Sequence, residues 1–203
     1  QALRGFHNAL GLAGLTLDDV EVVDLEASPS GRGDSWAIEL EALHRREVDA
    51  VFVKGATGLQ AVRSYAVREI VNTGFHPDPL VRVNNGAPRA VTVDAELTRH
   101  PGVIERVLAA LLRAADWAAD HRGELTRVIA AETGAAPVFV EQAYRNVSLR
   151  PALHEEWLSA LDAQREFLLK HGFLAGDFDV RAWVHPDALA AAQHTYNKGV
   201  SAS

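Results

Sequence analysis

The stretch EVDAVFVKGATGLQAV, from Glu47 to Val62, decides how this chain is read. Five of the six residues from Val48 to Val53 are apolar, which reads as a buried strand. The run ends on Lys54 and Gly55, where a helical pattern begins. A lysine beside glycine and a helix N-terminus can hold an anion, because the first amides of a helix lack partners and carry partial positive charge. It can equally be a solvated strand end. Both readings stand at this point.

Outward from that stretch, the order of elements alternates and then becomes helical. Leu3, Phe6, Leu10 and Ala13 share one face of an opening helix, and VEVVDL (Val20 to Leu25) reads as a strand by its valines. The loop EASPSGRGD leads to a helix from about Ser35 to Arg46, followed by the strand ending at Lys54 and a short helix near Thr57 to Tyr65. VREIVNTG, PLVRVNN and RAVTVD (Arg89 to Asp94) read as further strands. This succession predicts an α/β fold with a largely parallel sheet. From Pro101 onward the period is helical, through GVIERVLAALLRAADWAADH, GELTRVIAAETG, PVFVEQAYRN and PALHEEWLSALDAQREFLLKHGF. That much amphipathic helix exceeds what a small sheet can cover, so part of its apolar surface is expected to stay open or to meet a further lobe. The chain also opens on Gln1, without Met and in mid-helix, and an N-terminal portion is expected to precede it.

Composition narrows the classes of function. The 203 residues carry a net charge of −7 with no dense Lys/Arg run, which argues against a nucleic-acid surface. No apolar run approaches the roughly 20 residues that span a bilayer. With no cysteine, these residues can form neither disulfides nor zinc-thiolate sites, and they supply no thiol nucleophile. The compartment stays open on this count.

Several motifs dissolve on inspection. GRGDSW lacks the third glycine of a dinucleotide fingerprint and reads as a loop with Asp34 or Ser35 capping a helix. Arg32-Gly33-Asp34 matches an adhesion tripeptide by chance, and NVS at Asn146 matters as a sequon only in a secreted eukaryotic chain. Nine scattered histidines form no ligand pair, and Asp177 to Asp179 lack the spacing of a calcium loop, so no metal and no cofactor is expected. There is no G-x-S-x-G and no P-loop, and Glu155 and Glu156 point to different sides of one helix, a poor acid/base pair.

Four segments taken in order carry a resemblance: LRGFHNALGLAGLTLDDVEVVDL, ELEALHRREVDAVFVKGATGLQAV, TVDAELTRHPGVIERVLAALLRAADWAADH and LDAQREFLLKHGFL. Together they resemble the second half of the bacterial substrate-binding proteins of nitrate, sulfonate and taurine ABC transporters. The resemblance implies a type II periplasmic-binding-protein-like α/β fold, here a second lobe plus C-terminal helices with the first lobe missing. Residues 1–83 would be that lobe, 84–93 the crossover strand and hinge, and 94–203 a helical region packing on the first lobe. It implies capture of a small anionic or organosulfur ligand in an interlobe cleft and delivery to an ABC permease, from a periplasmic or extracellular lipoprotein position. Aryl-sulfinate desulfinases share that fold and the tail patterns AADWAADH and QREFLLKHGFL, and thiamine-pyrimidine-precursor binding proteins share the fold too. A desulfinase would be cytoplasmic and would use a cysteine nucleophile in the first lobe, which this chain does not contain.

The implied ligand contacts follow from ligands sitting beyond the carboxyl ends of strands. They are Lys54, Gly55 and Ala56 at the strand end, with Arg32, Asp34 and Ser35 in the preceding loop. On the crossover, Asn84, Asn85 and Arg89 offer amide and guanidinium donors. KGATG departs from the aromatic or acidic pair common at that place in the family, which leaves the ligand class open.

Overall fold

The computed structural model describes residues 2–25, 36–82, 93–94, 96–145 and 147–200. Among them the regular elements are helices: α1 (Ala2–Leu12), α2 (Ala37–His44), α3 (Gly55–Ser64), α4 (Pro101–Asp120), α5 (Arg122–Thr133), α6 (Pro137–Tyr144), α7 (Glu155–Lys170), α8 (Val180–Trp183) and α9 (Pro186–Val200). Short 3-10 turns lie at Leu17–Asp19, Thr73–Phe75 and Leu97–Arg99. No strand is present among the described residues, so the expected α/β architecture with a parallel sheet, the type II periplasmic-binding form, is not what the chain adopts here.

The reason lies in what a strand requires. Val20 (φ −137°, ψ 153°) and Lys54 (φ −147°, ψ 163°) do have extended backbones, as β-branched sequence favours. A strand exists only when its amides and carbonyls are paired with a neighbour, and no described segment supplies that neighbour. Val20, Val22 and Val23 are accordingly 40–48% exposed. The expected strand at Val67 to Gly74 runs instead into the 3-10 turn Thr73–Phe75, where Asn72 Oδ1 accepts from the Gly74 amide at 3.1 Å. Pro79 to Arg82 form a turn, while Asn84, Asn85 and most of Arg89 to Asp94 lie outside the described residues.

Helix ends follow the sequence closely. Proline stands at the start of α4, α6 and α9, where its missing amide costs nothing. Asp179 caps α8 by accepting from the amides of Arg181 (2.7 Å) and Ala182 (3.2 Å). Thr16 and Asp19 close a reciprocal capping box on the first 3-10 turn.

The chain divides into two compact units, Gln1–Ala87 with Thr126–Val147, and Pro88–Leu125 with Ser148–Ser203. In the first, α3 packs on α6, and Ala56, Ala135 and Val140 form a core flanked by Ile129, Phe139 and Tyr144. On helix α1 the expected face places Leu3, Phe6 and Leu10 half-buried, with Ala13 exposed. The buried positions of the helix are Arg4, Gly5 and Asn8, while Leu12 is 45% exposed. Asn8 Nδ2 donates to the Val81 carbonyl at 2.9 Å, and the Phe52 ring lies directly over Gly5. Close approach of the ring, rather than a leucine stripe, sets that face.

In the second unit α4 packs along α9 through Ala109, Leu112 and Ala192, all at most 1% exposed. Alanines at this seam let the two backbones approach while Leu112 fills the gap. Polar bonds lie beside it: Thr195 Oγ1 donates to Glu105, and Tyr196 Oη donates to Asp116, whose other oxygen accepts from Arg150. Arg150 also lies over the Tyr196 ring, 5.5 Å from its centroid. Val107 and Leu111 remain 48% and 38% exposed and Leu168 is half-buried, as expected for the helices after Pro101.

Candidate functional site

The residues at the start of α3 are the part of the expected site that the described structure contains. Lys54 is the N-cap, and Gly55, the first helical residue, has φ +68°, a conformation that a side chain would strain. The first intrahelical bond runs from the Gly58 amide to the Lys54 carbonyl at 3.1 Å. The amides of Gly55, Ala56 and Thr57 precede that bond and lie at the positive end of the helix dipole. Gly55 is exposed and Lys54 half-buried, so both can be approached from solvent.

Two bonds fix this turn within its unit. Trp36, the N-cap of α2 with φ 84°, donates its indole Nε1–H to Thr57 Oγ1 at 3.1 Å. Farther along the helix, Gln60 Oε1 accepts from the Ala136 amide at 2.7 Å. Ala56 is 4% exposed and belongs to the core with Ala135 and Val140, so its side chain packs inward and only its backbone can serve a ligand. Gly58 has the same character, since a Cβ there would meet Val53 at 3.2 Å.

Arg32, Asp34, Ser35, Asn84, Asn85 and Arg89 lie outside the described residues. Of the nine expected contacts, Lys54, Gly55 and Ala56 are therefore the ones placed, and they are brought together at one helix end. Trp36 was absent from the sequence reading. Its only signal was position, directly after the loop that carries Asp34 and Ser35.

A second polar cluster, in the other unit, was also not foreseen. Arg150, donating to Asp116, and the Tyr196 hydroxyl together hold the Asp116 carboxyl below the usual aspartate range. The bond to Asp116 in turn raises the Tyr196 phenol. Asp116 accepts from both Arg150 and Tyr196, and the arrangement ties α9 to α4. Among the described residues no group of three or more His, Cys, Asp or Glu is placed to hold a metal ion. No described helix is long and apolar enough to cross a membrane.

No family model matches the chain. The 2'-hydroxybiphenyl-2-sulfinate desulfinases of Rhodococcus erythropolis and Rhodococcus qingshengii are each 28% identical to it over 209 aligned residues. The match covers 92% of this chain and 55% of each relative, so the chain spans about half the length of the curated relatives it matches. A crystal structure of a Cys-to-Ser mutant of the desulfinase DSZB in complex with biphenyl-2-sulfinic acid superposes with TM-score 0.67 and 22% identity. That superposition covers 90% of this chain and 56% of the other, and it establishes a shared fold. Similarity thus runs to desulfinases and not to the substrate-binding proteins of ABC transporters. The importer role, the permease partner and the periplasmic or lipoprotein placement that followed from the transporter resemblance fall with it.

Proposed function

We propose that this chain forms part of a C–S hydrolase acting on aryl sulfinates. The supporting observation is the 28% identity to curated desulfinases across 92% of the chain, on a shared fold. The reaction replaces the sulfinate group by hydrogen: ArSO2⁻ and water give ArH and HSO3⁻, with the C–S bond broken and a proton delivered to the ring carbon. In this reading a thiol outside these residues, since the chain has no cysteine, attacks sulfur as the C–S bond breaks and the ring carbon takes a proton, and water then cleaves the S–S bond to release HSO3⁻ and restore the thiol. The chain's contribution is to hold the anion, and the protein works in the cytoplasm.

The α3 start suits that task. A sulfinate presents two charged oxygens, and the Lys54 ammonium with the Gly55 and Ala56 amides offers charge-assisted donors at one helix end. Arg32, Asp34, Ser35, Asn84, Asn85 and Arg89 are the further candidates. The test is sulfite release from 2'-hydroxybiphenyl-2-sulfinate by the polypeptide made from the complete reading frame, with the 203-residue chain alone as the thiol-free control. Sulfite together with 2-hydroxybiphenyl from the former, and neither from the latter, is the expected result. Absence of both products with a panel of aryl sulfinates ends the proposal. Within the same assay, Lys54→Ala should raise KM by about ten- to a hundredfold, the equivalent of one charge-assisted bond, with the unliganded melting temperature unchanged. An unchanged KM would remove Lys54 from the site.

A further inference from the structure

The Trp36 side chain serves a helix other than its own. Trp36 is the N-cap of α2, yet it makes no side-chain bond to that helix; its indole Nε1–H reaches across to Thr57 Oγ1 in α3 at 3.1 Å. The Trp36 backbone sits at φ 84°, a left-handed geometry that glycine takes freely and a bulky residue takes at a cost. Strain of that kind clusters at ligand clamps and active sites. Thr57 is the third residue of α3, about 3 Å along the axis from Gly55, and the side chains of a helix tilt toward its N-terminus. The half-buried indole therefore stands beside the turn that carries Lys54 and the Gly55 amide. There is room at that turn, since a Cβ built on Gly55 would meet nothing within 4 Å among the described residues.

We infer that Trp36 is a specificity-determining residue, its indole ring the wall against which the aromatic group of a bound aryl anion lies. The sulfinate identity of the head group rests on the desulfinase reading. An aryl sulfinate carries its ring directly on sulfur, so donors that hold the two oxygens at the start of α3 fix the ring next to them. The two ends of such a ligand need different surroundings: amides and an ammonium for the oxygens, an apolar surface for the ring. Lys54 and Gly55 offer the first, and Trp36 offers the second. The bond to Thr57 is made at the indole edge, so it fixes the plane of the ring without using its faces. An alkyl anion of the same charge would meet the same donors and gain little from the ring.

The test compares benzenesulfonate with methanesulfonate, two anions that share a head group and differ in the ring. Titration calorimetry is run on the polypeptide made from the complete reading frame, as wild type, Trp36→Leu, Trp36→Phe and Lys54→Ala. Wild type should bind benzenesulfonate the more tightly. Trp36→Leu should weaken benzenesulfonate about three- to tenfold and leave methanesulfonate within about twofold, the factor an aromatic pair is worth beyond the area it buries. Trp36→Phe, which keeps a ring and drops the bond to Thr57, should recover most of the lost affinity. Lys54→Ala should weaken both ligands alike. An equal loss for both ligands in Trp36→Leu overturns the inference, because Trp36 then only props the α3 turn. So do unchanged affinities, and so does a wild type that binds neither sulfonate. Sulfite release from 2'-hydroxybiphenyl-2-sulfinate is scored separately in the same proteins. Ring selectivity without sulfite keeps the Trp36 wall and removes the desulfinase reading, while sulfite release with no effect of Trp36 on binding does the reverse.

Discussion

Gly5 offers a test in which the sign of the effect is decided by one contact. A Cβ built there would stand 2.6 Å from Phe52 Cζ and nearer still to Cε2 and Cδ2. Carbon atoms rest at about 3.5–4.0 Å, so the ring must move by roughly 1 Å. Phe52 is not free to swing away, because its ring also meets Phe6 with centroids 6.3 Å apart. Overpacking of this kind costs about 1–3 kcal/mol. Glycine to alanine in a helix interior gains up to about 1 kcal/mol. Gly5→Ala should therefore lose about 1 kcal/mol net, taking the middle of the overpacking range. Gly11 lies in the same helix with nothing within 4 Å of its virtual Cβ, so Gly11→Ala should gain a few tenths of a kcal/mol. The assay is urea unfolding followed by far-ultraviolet circular dichroism on wild type, Gly5→Ala, Gly11→Ala, Phe52→Leu and the Gly5→Ala/Phe52→Leu double variant. The cycle should return a coupling of about 2 kcal/mol, because leucine lacks the ring atoms that clash. If Gly5→Ala stabilises as Gly11→Ala does and the coupling is zero, the Phe52 ring does not sit over α1.

Leu112 is fully buried at the α4–α9 seam, and Leu112→Ala should cost about 2–5 kcal/mol by urea midpoint, since alanines at Ala109 and Ala192 cannot refill the space. Asp116, Asp177 and Glu155 are each held below their usual carboxylate range by an arginine: Arg150, Arg165 and Arg181 respectively. A carboxyl that binds its proton less readily when folded adds stability above its unfolded value and loses it as pH falls through the folded one. Unfolding free energy should therefore decline below about pH 4, and Asp116→Asn should flatten part of that decline; an acid slope identical to wild type would refute the role assigned to the Arg150 pair.

How much was legible in the sequence depends on the range of the interaction that fixes each feature. Helix α4 begins on Pro101 and α7 carries Glu155 and Glu156 in its first turn with Lys170 in its last, signals that act within one turn. Strands are a different case. The valines of Val20 to Leu25 specify an extended chain, whereas the partner that would make a ladder is specified elsewhere. Helix α9 was passed over, although Pro186 and Asp187 open it with a strong start signal. That omission hid Ala192 and Tyr196, and with them both the covered side of α4 and the bonds that Asp116 makes. Without α9, the surplus of helical apolar surface looked larger than it is. Lys54 at a helix N-terminus was readable because lysine, glycine and the change of period are adjacent. Trp36 was not, because its bond to Thr57 spans 21 residues.

The two tail patterns in the family resemblance show why it could not tell a transporter subunit from a hydrolase. In AADWAADH the Trp117 and His121 rings stack at 5.2 Å with 9° between planes, and His121 is the C-cap of α4. In QREFLLKHGFL the Phe167 and His171 rings lie 4.4 Å apart, and His171 is the C-cap of α7. Both are aromatic–histidine pairs at i, i+4, a spacing that places two rings on one helix face at its last turn. The second pattern then closes the helix. Gly172, at φ +72°, sends its amide to the Leu169 carbonyl at 3.1 Å, and the Phe173 amide reaches the Leu168 carbonyl at 2.8 Å. These residues end helices. A transporter subunit and a hydrolase built on the same helices have equal use for such ends, so the patterns could not separate the two. The separation came from residue identity to the desulfinases across 92% of the chain.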